Sequence, residues 1–249
     1  GMELGGNAVA QAADEIIEKA ASLAAHLLQS DVSKVTFKDG LFSDQASGGS
    51  VSMNEVIEAS LDAERSGMAA GGLDTGTTFE RGVISIPNGC HACAVEVDPE
   101  TGVIDITGYW VVDDFGTIIN PMLADGQVMG GIAQGIGQAL TENILYDADS
   151  GQLITGSLMD YGLPRADMVP KMDIEYFEGA PTKKNPLGVK GAGEAGCVGS
   201  LPAVVNAVLD ALKDHGVVHM DMPLTPEKVW RAIRDHGRHD AEALMKYVI

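Results

Sequence analysis

An α+β fold, with mixed sheets packed against helices, is what this sequence predicts, and three features carry that reading. Apolar residues recur at helical steps near both ends and in the middle of the chain. Two apolar runs flank the turn DPETG, and Asp39-Gly40 lies between two shorter strand-like runs. Such turns join neighbouring strands, so at least part of the sheet is local and antiparallel. At about 150 residues per domain, 249 residues suffice for one large domain or two small ones.

The elements follow in order. Over residues 7–29, Val9, Ala13, Ile16, Ala20, Leu23, Ala24 and Leu27 recur at three- and four-residue steps, the mark of an amphipathic helix. VTFKDGLF reads as a hairpin about Asp39-Gly40, and Ser52 with Glu55 makes a capping box for a short helix ending near Leu61. RSGMAAGGLDTGTTFERG has five glycines and little periodicity. It divides the chain into a helix-hairpin-helix portion at 1–64, a loop or linker at 65–82 and an α+β portion at 83–249, the two portions expected to form one module. GCHACAVEVD and VIDITGYWVVDD then predict an antiparallel pair. After Pro121 a helix is expected that keeps five glycines, each costing about 1 kcal/mol against alanine, so it must pack closely on another backbone or a flat ligand. MDIEYFEG reads as a strand, and SLPAVVNAVLDALK as a helix capped by Ser200 with Pro202 in its first turn. Short helices at 226–234 and 241–247 close the chain.

Sixteen basic residues against 36 acidic ones leave a net charge of −20. No Lys/Arg cluster suits a phosphate backbone, so no nucleic-acid partner is expected; the acidity reads as a solvated surface. No run reaches the roughly 18 apolar residues of a membrane span, and the first thirty residues lack a signal-peptide pattern, so the expected location is cytoplasmic. Three cysteines make no disulfide framework.

Three short motifs invite chemistry. GAGEAG at 191–196 matches the dinucleotide pattern G-x-G-x-x-G, but the residues before it, APTKKNPLGVK, do not form the apolar strand that mechanism needs. CHAC places Cys90 and Cys93 three apart on a strand, where they point to opposite faces; packing accounts for them, and no metal ligand set is expected. Glu194 is a lone carboxylate among five glycines in NPLGVKGAGEAGCVGS. It reads either as an acid complementing a helix N-terminus or as a general base tuned by partial burial, with Lys190 four residues before it.

Several segments together resemble one family, the molybdenum hydroxylases that include xanthine dehydrogenase, aldehyde oxidase and aerobic carbon monoxide dehydrogenase. NPLGVKGAGEAG is similar to that family's loop carrying the active-site glutamate, and GQVMGGIAQGIGQALTE to its cofactor-contacting helix. IPNGCHACAVEVDPETG, DDFGTIINPMLADGQ and SLMDYGLPRADMVP keep the family's order and spacing, so the resemblance spans residues 87–212. It implies the C-terminal molybdenum-cofactor-binding domain of the large subunit. By the same resemblance Glu194 is the general base in oxidation of an aldehyde, an N-heterocycle or a carbon monoxide-like substrate, with water as oxygen source. Gln134 and Gly135 would contact the pterin, and Lys190, Gly191, Ala192 and Gly193 would lie along the cofactor. The molybdenum-molybdopterin cofactor would be shared with an N-terminal half or separate chain, while iron-sulfur and FAD centres belong to partner subunits. This chain begins after the family's N-terminal portion, so a fragment or split subunit is expected. A noncatalytic fragment without cofactor and a dinucleotide-binding protein using GAGEAG are the alternatives.

Overall fold

The computed structural model describes residues 1–65, 72–80 and 82–235. They fall into two compact units, Gly1–Ile84 with Asn185–Leu187, and Ser85–Lys184 with Gly188–Ile249. Most of the linker's centre, residues 66–71, and the helix expected at 241–247 lie outside the described residues.

In the first unit, helix α1 (Asn7–Leu27) follows a π-helical turn and buries Ala20 and Ala24, the middle of the predicted apolar stripe. Strands β1 (Val35–Lys38) and β2 (Leu41–Asp44) form the expected hairpin. Asp39 (φ 49°) and Gly40 (φ 79°) take the left-handed conformation a two-residue turn requires. A third strand, β3 (Ser50–Ser52), adds to β2; at three residues it is too short to show a strand pattern in the sequence. Helix α2 (Met53–Arg65) runs past the expected end at Leu61 and opens on the capping box. The Ser52 N–H donates to Glu55 Oε2 (2.8 Å), and the Glu55 N–H to Ser52 Oγ (3.3 Å). Phe42, Val51 and Val56 complete this core. Buried Asn7 accepts the Leu187 N–H at 3.1 Å, which ties residues 185–187 into this unit.

The second unit is built on a mixed sheet. β4 (Asn88–Val97) pairs antiparallel with β5 (Ile104–Asp114), and β6 (Met172–Tyr176) runs parallel to β5 on its other side. Helices α3 (Pro121–Leu140) and α4 (Ala195–Leu212) pack on each other, with α4 against β4; α5 (Pro226–Arg234) opens on Thr225 as its cap. Tyr109, Val111, Ile132, Ile136, Val204 and Val208 form the core between them.

The glycines of α3 serve the helix contact. A Cβ at Gly131 would lie 2.9 Å from the Cys197 nitrogen, and one at Gly135 would collide with Ser200 Oγ. This close approach also corrects the expected start of α4. The helix begins at Ala195 with Glu194 at its cap position, and Ser200 lies inside it, its hydroxyl donating to the Cys197 carbonyl at 3.2 Å. Gly196 packs on Gly131 and the Val128 carbonyl, so tertiary contact makes helix of residues whose composition reads as loop. One further correction concerns hydropathy. Ala195–His215 is long and apolar enough to cross a membrane by length and composition, with a mean hydropathy of 1.5. Counting uninterrupted apolar residues missed it, because glycine, serine and proline break the run. Burial of Val204, Val208 and Leu212 in the core accounts for part of its apolar character.

Candidate functional site

The acid loop is fastened at both ends. Ahead of it, Gly116 and Val189 form an antiparallel bridge, the Lys190 N–H donates to the Phe115 carbonyl (2.7 Å), and Lys190 Nζ meets Asp114 Oδ2 at 2.6 Å. Those two side chains are 11% and 12% exposed, and the second oxygen of Asp114 accepts the Gly116 N–H. Burial alone would raise the Asp114 carboxyl, but Lys190 and the Gly116 amide outweigh it and hold it below the usual 3.8. Behind the loop, Gln127 of α3 donates to the Gly193 carbonyl at 2.7 Å.

Between these anchors the loop forms one wall of a cavity of about 560 Å³. That wall holds residues 191–195 with Val198 and Gly199; the facing wall holds residues 86–89, His91 and Asp113. Glu194 is exposed at the cavity and makes no side-chain hydrogen bond to cap α4, so the helix-capping reading is not realised as a bond. Burial, then the charges of Glu194 and Glu142, push the Cys197 thiol up.

The facing wall comes from strand register. His91 lies opposite Val111, so its diagonal neighbours on the same face are Tyr109 and Asp113. The Tyr109 oxygen lies 2.7 Å from His91 Nδ1. Burial first, then the charges of Cys93 and Asp113, push the phenol well up, so Tyr109 stays protonated; it donates to or accepts from His91 according to the ring's tautomer. Nε2 is 3.5 Å from Asp113 Oδ1, beyond ordinary hydrogen-bond range. Asp113 is 1% exposed, and among the described residues its Oδ2 has no hydrogen-bond partner.

The sequence-predicted residues are therefore only partly gathered. Gly191, Ala192, Gly193 and Glu194 share the cavity. Lys190 departs from expectation: its amide is bonded to Phe115 and its ammonium to Asp114, so it secures the loop from beneath. Gln134 is exposed on α3 and does not line the cavity, and Gly135 is buried against Ser200. In CHAC, Cys90 is exposed and Cys93 turns inward, its thiol pushed up to about 11 by burial; the cysteines point apart as the strand period requires, and both are free. The histidine between them reaches the cavity. Ahead of GAGEAG stands a single bridge residue in place of a strand, against the dinucleotide mechanism. A second cavity of about 450 Å³, lined in part by Ile104, Leu163, Arg165 and Leu224, holds none of the predicted residues.

A family model described as a molybdopterin cofactor-binding domain matches residues 1–170, ending ahead of the acid loop. The chain is 38% identical over 235 residues to the nicotine 6-hydroxylase large subunit of Paenarthrobacter nicotinovorans, covering 93% of this chain and 28% of that one. It is 32% identical to the carbon monoxide dehydrogenase large chain of Hydrogenophaga pseudoflava, covering 93% and 29%. Among solved structures it matches Cu,Mo-CO dehydrogenase with a TM-score of 0.86 at 31% identity, covering 94% of this chain and 29% of that chain. It also matches quinoline 2-oxidoreductase from Pseudomonas putida 86, with a TM-score of 0.79 at 37% identity, over 90% and 29%. The chain thus spans less than a third of the length of each of these relatives.

Proposed function

The chain belongs to the molybdopterin cofactor-binding domain family, and from that premise we propose that it forms the C-terminal part of the cofactor subunit of a molybdenum hydroxylase, with Glu194 as general base. One observation carries the reading: an exposed, uncapped carboxylate stands at a 560 Å³ cavity on a loop fastened at both ends. The residues fit the cofactor. A Cβ at Gly193 would meet nothing within 4 Å and one at Gly191 only ordinary contacts, so the loop leaves its backbone open to a close ligand. Among the described residues no three His, Cys, Asp or Glu side chains converge as ligands, so a metal here must bring its own. Gly191, Ala192 and Gly193 would hold the cofactor's polar edge by backbone groups, and Gln134, exposed on α3, would hydrogen-bond the pterin.

When bound, molybdenum-molybdopterin supplies oxygen transfer and accepts two electrons. This chain's part is to place a carboxylate that takes up a proton as the substrate carbon is hydroxylated and releases it afterwards. The Lys190–Asp114 pair and the Gln127–Gly193 bond keep the loop from drifting, since an error of about 1 Å at a reacting group can cost about 100-fold in rate. An aldehyde, an N-heterocycle or a carbon monoxide-like molecule is the proposed substrate type. An N-terminal molybdopterin-binding half or separate chain and iron-sulfur and flavin subunits are the proposed partners.

Glu194→Gln keeps size and removes the base. In the assembled protein it should retain molybdenum and pterin while turnover drops by at least about 100-fold. Full turnover with normal cofactor content would end the general-base assignment.

A further inference from the structure

The Glu194 side chain makes no capping bond to α4, so its place depends on the loop before it and on the first turn of the helix behind it. There its carbonyl accepts the Val198 N–H at 2.9 Å. Whatever fixes that turn sets where the carboxylate can stand. On the α3 side the turn is fixed by backbone, since Gly196 packs on Gly131 and the Val128 carbonyl. On the β4 side it meets a ring. A Cβ at Gly199 would collide with three atoms of the His91 imidazole, so the helix backbone lies directly against that side chain.

The ring is held in orientation as well as in place. Tyr109, fully buried, puts its oxygen 2.7 Å from Nδ1 and meets the imidazole edge to face at 84°, while Asp113 Oδ1 faces Nε2 at 3.5 Å. The His91 side chain is 5% exposed. Filling the space between a strand and a helix asks only for volume, which an apolar side chain supplies. An imidazole with a polar partner at each nitrogen is restricted in orientation too, and so presents one thickness between β4 and α4.

We propose that His91 is a positioning residue for Glu194: its ring, oriented by Tyr109 and Asp113, is the spacer that sets how far the first turn of α4 stands from the sheet, and with it the carboxylate at the cap position. In this role it acts through the helix. The inference rests on Glu194 being the general base, and an error of about 1 Å at such a group can cost about 100-fold in rate.

Opposite displacements test it in the assembled protein. His91→Asn keeps a polar atom where Nδ1 stands but is smaller, so α4 settles toward β4; Gly199→Ala sets a methyl against the ring and drives α4 away. Each should lower kcat at least about 10-fold, with KM within about twofold and molybdenum and pterin content retained. Combined, the two displacements offset each other, so the double variant should turn over faster than either single one. A residue that merely adds stability predicts the reverse, losses that accumulate. Crystal structures of the single variants, which need no turnover, should show the first turn of α4 moved in opposite directions. Undiminished kcat in a folded single variant, a rise in KM alone, accumulating losses in the double variant, or an unmoved turn overturns the proposal. If one single variant does not fold, the other decides it. Failure of the general-base reading appears separately, as full turnover in Glu194→Gln, whereas failure of this inference leaves Glu194→Gln inactive and the His91 and Gly199 variants fully active.

Discussion

Asp113 and Asp114 are neighbours in the chain, end the same strand and point to its two faces, yet their circumstances are opposite. Asp114 has a lysine at 2.6 Å and a backbone amide on its other oxygen. Asp113, more deeply buried, has a histidine at 3.5 Å and an oxygen with no partner among the described residues. The first is what a structural buried acid looks like: each of its two oxygens finds a donor in the protein. The second is a buried acid whose desolvation is only partly offset, since among the described residues one oxygen finds no donor. The contrast teaches that burial alone does not say how well an acid is held; the completeness of its bonding does.

The sharpest way to break that comparison is to remove the satisfied acid. Asp114→Ala strands the Lys190 ammonium at 11% exposure, and losing one partner of a buried pair costs about 3–5 kcal/mol. Denaturant unfolding should show a loss of this order, with Asp114→Ala plus Lys190→Met recovering much of it. Acidity tests the same pair. The folded Asp114 carboxyl lies below the unfolded value of 3.8, so its stabilisation is present above that pH and is lost as pH falls through the lowered folded value. Asp114→Asn should therefore have a flatter stability curve below about pH 4 than the unaltered protein. An equally steep curve would show that the pair contributes nothing to acid stability.

A smaller effect sharpens the same distinction among the glycines. Gly135 and Gly130 both sit inside α3, but a Cβ at Gly135 would strike Ser200 whereas one at Gly130 would meet nothing within 4 Å. Gly135→Ala should cost about 1–3 kcal/mol by overpacking the α3–α4 contact. Gly130→Ala should gain up to about 1 kcal/mol in this chain by helix propensity alone. If both substitutions move the unfolding midpoint the same way, the close approach of the two helices is not what fixes Gly135.

The sequence made some of this legible and hid the rest for physical reasons. Local signals survived folding. Asp39-Gly40 turned the hairpin, Ser52 and Glu55 capped α2, and the apolar spacing from Val9 onward gave α1. Glu194 stood out because an acid among glycines is unusual, and it does face a cavity. The start of α4 was misread because its glycines look like a loop until α3 lies against them. His91 stood out only as the residue between two cysteines, and Asp113 and Asp114 went unnoticed. The strand pair was visible, but which residues meet depends on register, and a slip at Ala94/Val95 displaces it. Lys190 looked available to a ligand because its partner lies 76 positions away, at the end of another strand.

The smallest expected effect returns to Asp113. Because its bonding is incomplete, removing its charge should cost the fold little. Asp113→Asn keeps the shape that Gly89 accommodates and removes a buried charge that His91 holds only loosely, so stability should change by no more than about 1 kcal/mol in either direction. Asp114→Asn, made at the next residue and of identical chemistry, should cost more because it breaks the pair with Lys190. The two unfolding midpoints compared side by side decide the matter. A large loss in Asp113→Asn would mean that the His91 contact is a strong ion pair despite its length, and that the inner face of the strand is as structural as the outer one.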